Sequence, residues 1–183
     1  MTAVIVAVIV LVAIWGVFSY NRLVRLRNQV RTAWADIDVQ LTRRHALVPQ
    51  LVASVRGYAD HERTVLEAVT ELRSQAVKLD SPAKLAQVEN ALEQALGRLF
   101  ALKEAYPDLK ASENFAQLQR ELVEVEEHLQ YARRFYNGAV RDYNDTVQRV
   151  PDMFVANAGL FRPAEFYQAR DEERPAVPVG ALR

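Results

Sequence analysis

The chain has 183 residues with 23 basic and 23 acidic side chains, and its first twenty residues carry no charge. That balance argues against a general nucleic-acid binder, which needs surplus positive charge to displace counterions. The absence of cysteine excludes a disulfide framework, thiolate zinc ligands and a cysteine nucleophile, and six scattered glycines exclude Gly-rich phosphate loops.

Residues 1–20 predict a transmembrane anchor. The uncharged run from Ala3 to Tyr20, at about 1.5 Å per residue, reaches about 27 Å, close to the ~30 Å hydrocarbon core of a bilayer. A cleaved signal peptide is the competing expectation, but no Lys or Arg precedes the apolar run and no A-x-A site follows it. Tyr20 falls where an aromatic belt residue belongs. Arg22, Arg25, Arg27 and Arg31 follow closely, which by the positive-inside rule places the body in the cytoplasm and the N-terminus outside. Arg22, Arg25 and Arg27 are positioned to meet anionic lipid headgroups. Between residues 22 and 44 six arginines stand against Asp36 and Asp38. The body is therefore basic near the membrane and acidic away from it.

Beyond the anchor the apolar period is helical throughout. Leu23, Leu26, Val30, Ile37, Leu41, Val48, Val52 and Val55 predict one long helix to about Arg56, kinked rather than ended by Pro49. Gly57 and Asp60 predict a stop and a new N-cap. Val65, Val69, Leu72, Ala76 and Leu79 mark a second helix. Ser81-Pro82 opens a third, carried by Leu85, Val88, Leu92, Leu96 and Leu99 to about Ala105. A turn at Tyr106-Pro107-Asp108 leads to a fourth, from about Ser112 to Val150, along Phe115, Leu118, Leu122, Val125, Leu129, Ala132, Tyr136, Ala139 and Tyr143. Four of the seven prolines lie in residues 151–183, which predicts an irregular tail. No stretch alternates like a strand. Short connections predict antiparallel neighbours, hence an all-α chain: an anchor over 1–20, an up-down four-helix bundle over 21–150 with long first and last helices, and the tail.

A search for chemistry is mostly negative. A di-metal bundle needs Glu-x-x-His pairs, and the residues three before the histidines are Thr42, Tyr58 and Val125. His61-Glu62 lacks the second histidine of a zinc-protease helix, and Glu124 with His128 reads as a solvated helix face. Asn144-Asp145-Thr146 matches a glycosylation sequon, which is idle on the cytoplasmic side. The expectation is therefore a protein without catalytic activity, cofactor or metal.

One set of residues is more specific. Tyr20-Asn21-x-Leu23-Val24-x-Leu26-Arg27-Asn28, Ala33-Trp34-x-Asp36-Ile37-Asp38-Val39-Gln40-Leu41-x-Arg43-Arg44-His45 and Leu47-Val48-Pro49 closely resemble the N-terminal signature of the LemA family. The likeness continues in Gly57-Tyr58-Ala59, His61-Glu62, Tyr106-Pro107-Asp108-Leu109-Lys110, Asn114-Phe115, Tyr136-Asn137 and Tyr143-Asn144. Gln50 stands where the family usually has Asn, Val150 precedes Pro151 where Phe is common, and Gly159-Leu160-Phe161 only approximates an aromatic-Gly-aromatic pattern. The resemblance implies a bacterial inner-membrane protein with one span and a cytoplasmic helical bundle, and it supplies no catalytic residue. It also implies association with cell-envelope proteins, membrane metalloproteases among them, and a relative in magnetosome membrane formation. A self-associating membrane scaffold is the leading expectation. An adaptor or regulator of another membrane protein, or a ligand-binding receptor, are the alternatives.

Two finer expectations concern side chains. At about 100° per residue, Arg44 falls inside the apolar stripe bounded by Leu51 and Trp34, so it requires a partner. Matching the rise of antiparallel first and last helices puts it opposite residue 125, near Glu121 and Glu126. The first and last helices, at about 54 and 57 Å, also outreach the second and third at about 28 and 36 Å. The membrane-proximal half is then a two-helix hairpin. Tyr20, Asn21, Asn28, Trp34, Tyr136, Asn137, Tyr143 and Asn144 fall on it, a mixture suited to an interface between subunits. The apolar tail residues Met153, Phe154, Val155, Leu160, Phe161, Phe166 and Tyr167 are expected to return to the bilayer or to the base of the bundle.

Overall fold

The computed structural model describes residues 1–59 and 61–167. Asp60, expected as an N-cap, and the charged end from Arg170 lie outside them. Among the described residues the protein is entirely helical, with no strand.

Helix α1 (Thr2–Arg56) runs for 55 residues without interruption, through Pro49. A proline inside a helix costs about 3 kcal/mol. Leu51, Val52 and Val55 are buried just beyond it, and fully burying each such side chain contributes about 1.5–3 kcal/mol, so the helix continues. Helices α2 (Arg63–Ala76) and α3 (Pro82–Ala101) follow, and α3 opens on extended Ser81 with proline at its first position. A 3₁₀ turn (Leu102–Glu104) and the four-residue α4 (Pro107–Lys110) occupy the expected turn around Tyr106. Helix α5 (Glu113–Gln148) starts after Ser112, whose Oγ accepts the Phe115 amide at 3.4 Å. Among the described residues there are thus six helices rather than four. The sixth, α6 (Asp152–Ala158), replaces part of the irregular tail. At seven residues it is too short to display a period, so spacing could not reveal it.

The chain divides into two compact units. In the first, residues 1–47 lie with residues 117–166. Its pairings, Ser19 with Asp152, Trp34 with Tyr136 and Arg44 with Glu126, descend along α5 as they climb α1, which makes the two helices antiparallel. Leu23, Ala33, Ile37 and Leu41 are buried on α1, and Leu122, Val125, Leu129, Ala139 and Val140 on α5. The residues before Ser19 are different: Val4 to Phe18 expose nearly all their apolar side chains. Only 6% of the most apolar eighteen-residue window is buried, whereas a core helix would be mostly buried. This is the one helix among the described residues long and apolar enough to cross a membrane.

The second unit holds residues 48–116 and Tyr167. Helices α2 and α3 pack together, burying Leu66, Val69 and Ala76 with Leu85, Leu92, Leu96 and Leu99. The Phe100 and Phe115 rings meet edge to face at 6.2 Å, and the Tyr106 hydroxyl donates to Glu62 at 3.0 Å. The α3 stripe carries one departure from expectation. Glu89 is fully buried, while Val88 is only half-buried.

Candidate membrane-proximal site

Polar and aromatic groups concentrate in the first unit where the apolar stretch of α1 ends. Ser19 is buried there and donates its hydroxyl to Asp152 Oδ1 at 2.6 Å. The other oxygen of that carboxylate faces Arg22 at 3.9 Å and Arg149 at 3.5 Å. The Asp152 side chain is 10% exposed, whereas Arg22 and Arg149 keep 50% and 56% of theirs in the open. Two half-open guanidiniums therefore share one buried carboxylate, leaving a local surplus of positive charge.

The chain then bends back along the hairpin by a specific helix stop. Leu160 N–H donates to Asn157 O at 3.2 Å and Phe161 N–H to Ala156 O at 2.9 Å, the two bonds of a Schellman motif. Leu160 takes the left-handed position usual for glycine, at φ 54°. The glycine instead stands one residue earlier, because a Cβ on Gly159 would lie 2.6 Å from the Phe161 ring. That ring is buried, edge-on to Tyr20 at 5.5 Å, with the Arg27 guanidinium 4.9 Å from its centre.

Beyond Phe161 the segment lies against α5 through its backbone. Asn144 uses both ends of its amide on one residue, donating to Ala164 O at 2.9 Å and accepting Ala164 N–H at 2.8 Å. Tyr136 donates its hydroxyl to Glu165 O at 2.8 Å and packs its ring 5.3 Å from Trp34. Burial, with the negative charge of Glu165 adding to it, pushes the Tyr136 phenol up to about 12. Burial also raises Tyr143, against the opposing pull of Arg27 and Arg31.

The residues expected at a subunit interface thus divide. Tyr136, Tyr143 and Asn144 are buried within the chain, Trp34 and Asn137 are half-buried, and Tyr20, Asn21 and Asn28 are exposed. The flank of the hairpin near Tyr136 and Asn144 is covered by the chain's own residues 164–165. Of the residues expected at headgroups, Arg25 is exposed, Arg22 leans on Asp152 and Arg27 on Phe161. Farther along α1, Arg44 is fully buried and ion-paired with Glu126, while Glu121 accepts from Gln117 at 3.0 Å on the surface. Nothing in the sequence marks Asp152, Arg149 or Ala164. Asp152 follows a proline outside any apolar period, and Ala164 acts through its backbone. Among the described residues no three His, Cys, Asp or Glu side chains gather where they could hold a metal ion.

The profile of the LemA family matches residues 33–180. Protein LemA of Metamycoplasma hominis is 29% identical over 167 residues, an alignment covering 89% of this chain and 75% of that protein. Magnetosome protein MamQ 2 of Paramagnetospirillum magneticum is 25% identical over 86% of this chain, and magnetosome protein MamQ of Magnetospirillum gryphiswaldense 21% over the same share. The chain spans 66% of each of these two magnetosome proteins, just under two thirds.

Proposed function

The chain belongs to the LemA family, and on that premise we propose that it is a single-pass protein of a bacterial inner membrane, a non-catalytic scaffold that self-associates in the membrane plane. Its N-terminus lies outside and its helical body in the cytoplasm. The observation that carries this is the continuity of α1: the exposed apolar residues 4–18 and the buried seam beginning at Leu23 belong to one unbroken helix. A body joined to its span without a linker is held in a fixed attitude to the bilayer, which suits organising neighbours better than reaching for a distant partner. Arg22, Arg25, Arg27 and Arg31, directly after the span, support the orientation.

Surface residues support self-association. Tyr131 and Phe135 are one turn apart on α5, 66% and 52% exposed. Asn21 and Asn28, seven residues apart, are open on α1. Exposed aromatic residues are favoured at interface cores. Native mass of the full chain in lipid nanodiscs tests the proposal. Wild type is expected as an oligomer, and Tyr131→Ser with Phe135→Ser as a smaller species of unchanged helicity. A wild type that is monomeric at physiological membrane density would remove the scaffold and leave an adaptor of another membrane protein in its place.

A further inference from the structure

A groove opens between the end of the apolar stretch and α6. It is a shallow, open depression with room for about 570 Å³. Ala13, Gly16, Val17 and Tyr20 of α1 and Phe154 and Ala158 of α6 line it, so its surface is almost wholly apolar. Small residues on both helices make the space: a Cβ on Gly16 would meet nothing within 4 Å. Val155 is only half-buried and Phe154 is 62% exposed, so the groove is open along its length.

Its position identifies its occupant. From Ala13 to Tyr20 the lining rises about 10–11 Å, within the ~15 Å of one leaflet's hydrocarbon. The groove therefore lies at the depth of the acyl chains. Arg22 follows the last α1 lining residue by two positions and Arg149 precedes α6 by three; both are half open and share the single Asp152 carboxylate. An apolar slot within the depth of one leaflet, with two under-neutralised guanidiniums on the Asp152 carboxylate at the start of α6, suits the tail and the charge of one kind of molecule. We propose that the groove binds one anionic phospholipid, with an acyl chain between residues 13–20 and α6 and its phosphate on Arg22 and Arg149. Arginine forks suit phosphate oxygens. Ser19 serves as a positioning residue, holding Asp152 and hence α6 against α1.

The inference rests on residues 3–20 spanning the bilayer, and the two fail in different ways. The experiment uses the full chain in mild detergent, offered equal amounts of phosphatidylglycerol and phosphatidylcholine, with retained lipid read by native mass spectrometry. Wild type is expected to retain one phosphatidylglycerol per chain, with a preference on the order of tenfold from two accessible arginines. Arg22→Gln with Arg149→Gln should abolish the preference while leaving the protein in the membrane. Gly16→Leu fills the groove from a position with open space, and should lower retention of both lipids at least threefold. Equal retention of the two lipids by wild type, or retention untouched by Gly16→Leu, overturns the site while the span stands. A protein released from membranes by alkaline carbonate overturns the span and the site together. If Gly16→Leu instead reduces the oligomer mass with lipid retention unchanged, a second copy of the chain occupies the groove and the proposal fails.

Discussion

Ser19 and Asp152, 133 residues apart in sequence, are joined by a buried hydrogen bond of 2.6 Å that ties α6 to the last turn of the apolar stretch. A hydrogen bond to a charged group contributes about 1.5–3 kcal/mol, and more is lost when a buried acceptor is stranded. Ser19→Ala should therefore loosen α6 locally. The expected result is faster hydrogen exchange at the amides of residues 153–159, with those of α5 around Leu129 unchanged. Ser19→Thr keeps the hydroxyl and should keep most of the protection. Equal protection in wild type and Ser19→Ala would mean that the apolar contacts hold α6 without this bond.

Arg44 and Arg43 are adjacent and offer an internal control. Arg44 is fully buried with Glu126 as a partner, whereas Arg43 meets Glu124 at 3.4 Å with both side chains about half exposed. Removing one member of a buried pair strands the other and costs about 3–5 kcal/mol, while an exposed pair contributes about 0–1 kcal/mol. Arg44→Ala should lower the unfolding free energy of the full chain by about 3 kcal/mol, and Arg43→Ala by about 0.5 kcal/mol. Denaturant unfolding in one detergent checks both. Losses of equal size at the two positions would sink the assignment.

These two relationships differ in how far the sequence displayed them. Arg44 was legible because two regularities meet there: helical phase puts it among Ile37, Leu41 and Leu51, and equal rise along antiparallel helices points to residue 125, one from Glu126. Glu89 gave a comparable signal, four residues after Leu85 and three before Leu92, all buried. A glutamate is ordinarily counted as helix surface, which masks that signal. Asp152 had no signal of this kind, since α6 is too short for a period. Tyr136 and Asn144 were legible as residues needing a partner and misleading about which one. They bond to backbone atoms of Glu165 and Ala164, and no side-chain pattern marks a carbonyl as an acceptor.

Gly159 and Leu160 occupy each other's expected places in the stop that ends α6. Gly159 has an ordinary backbone at φ −86°, and its lack of a Cβ serves the Phe161 ring. That ring cannot easily yield, being buried between Tyr20 and Arg27. Gly159→Ala should cost about 1–3 kcal/mol, as overpacking does. Leu160 carries the left-handed backbone instead, at about 1–2 kcal/mol for a residue with a Cβ, and its side chain is 81% exposed. Leu160→Gly should then stabilise the chain by about 1 kcal/mol in thermal unfolding. Opposite signs for the two substitutions are the outcome to look for, and a stabilising Gly159→Ala would refute the steric role of that glycine.

Tyr136 gives the fold an alkaline limit. Its phenol is pushed up to about 12 from an ordinary 10.0, first by burial and then by the charge of Glu165, so the folded state holds its proton more firmly than the unfolded state. With a raised folded-state value, this stabilisation is fully present below pH 10 and is lost as pH rises through about 12. Tyr136→Phe removes both that dependence and the 2.8 Å bond to Glu165 O. At pH 7 the variant should be less stable by about 0.5–1.5 kcal/mol, the usual net value of one hydrogen bond. Above pH 10 the gap should close, because only wild type must deprotonate the Tyr136 phenol. Tyr143, also raised by burial, remains in both proteins and leaves them a shared alkaline decline. Denaturant unfolding of the two proteins from pH 8 upward supplies the comparison. Curves that stay parallel through the alkaline range would show that the Tyr136 proton is no more tightly held in the fold than in the open chain.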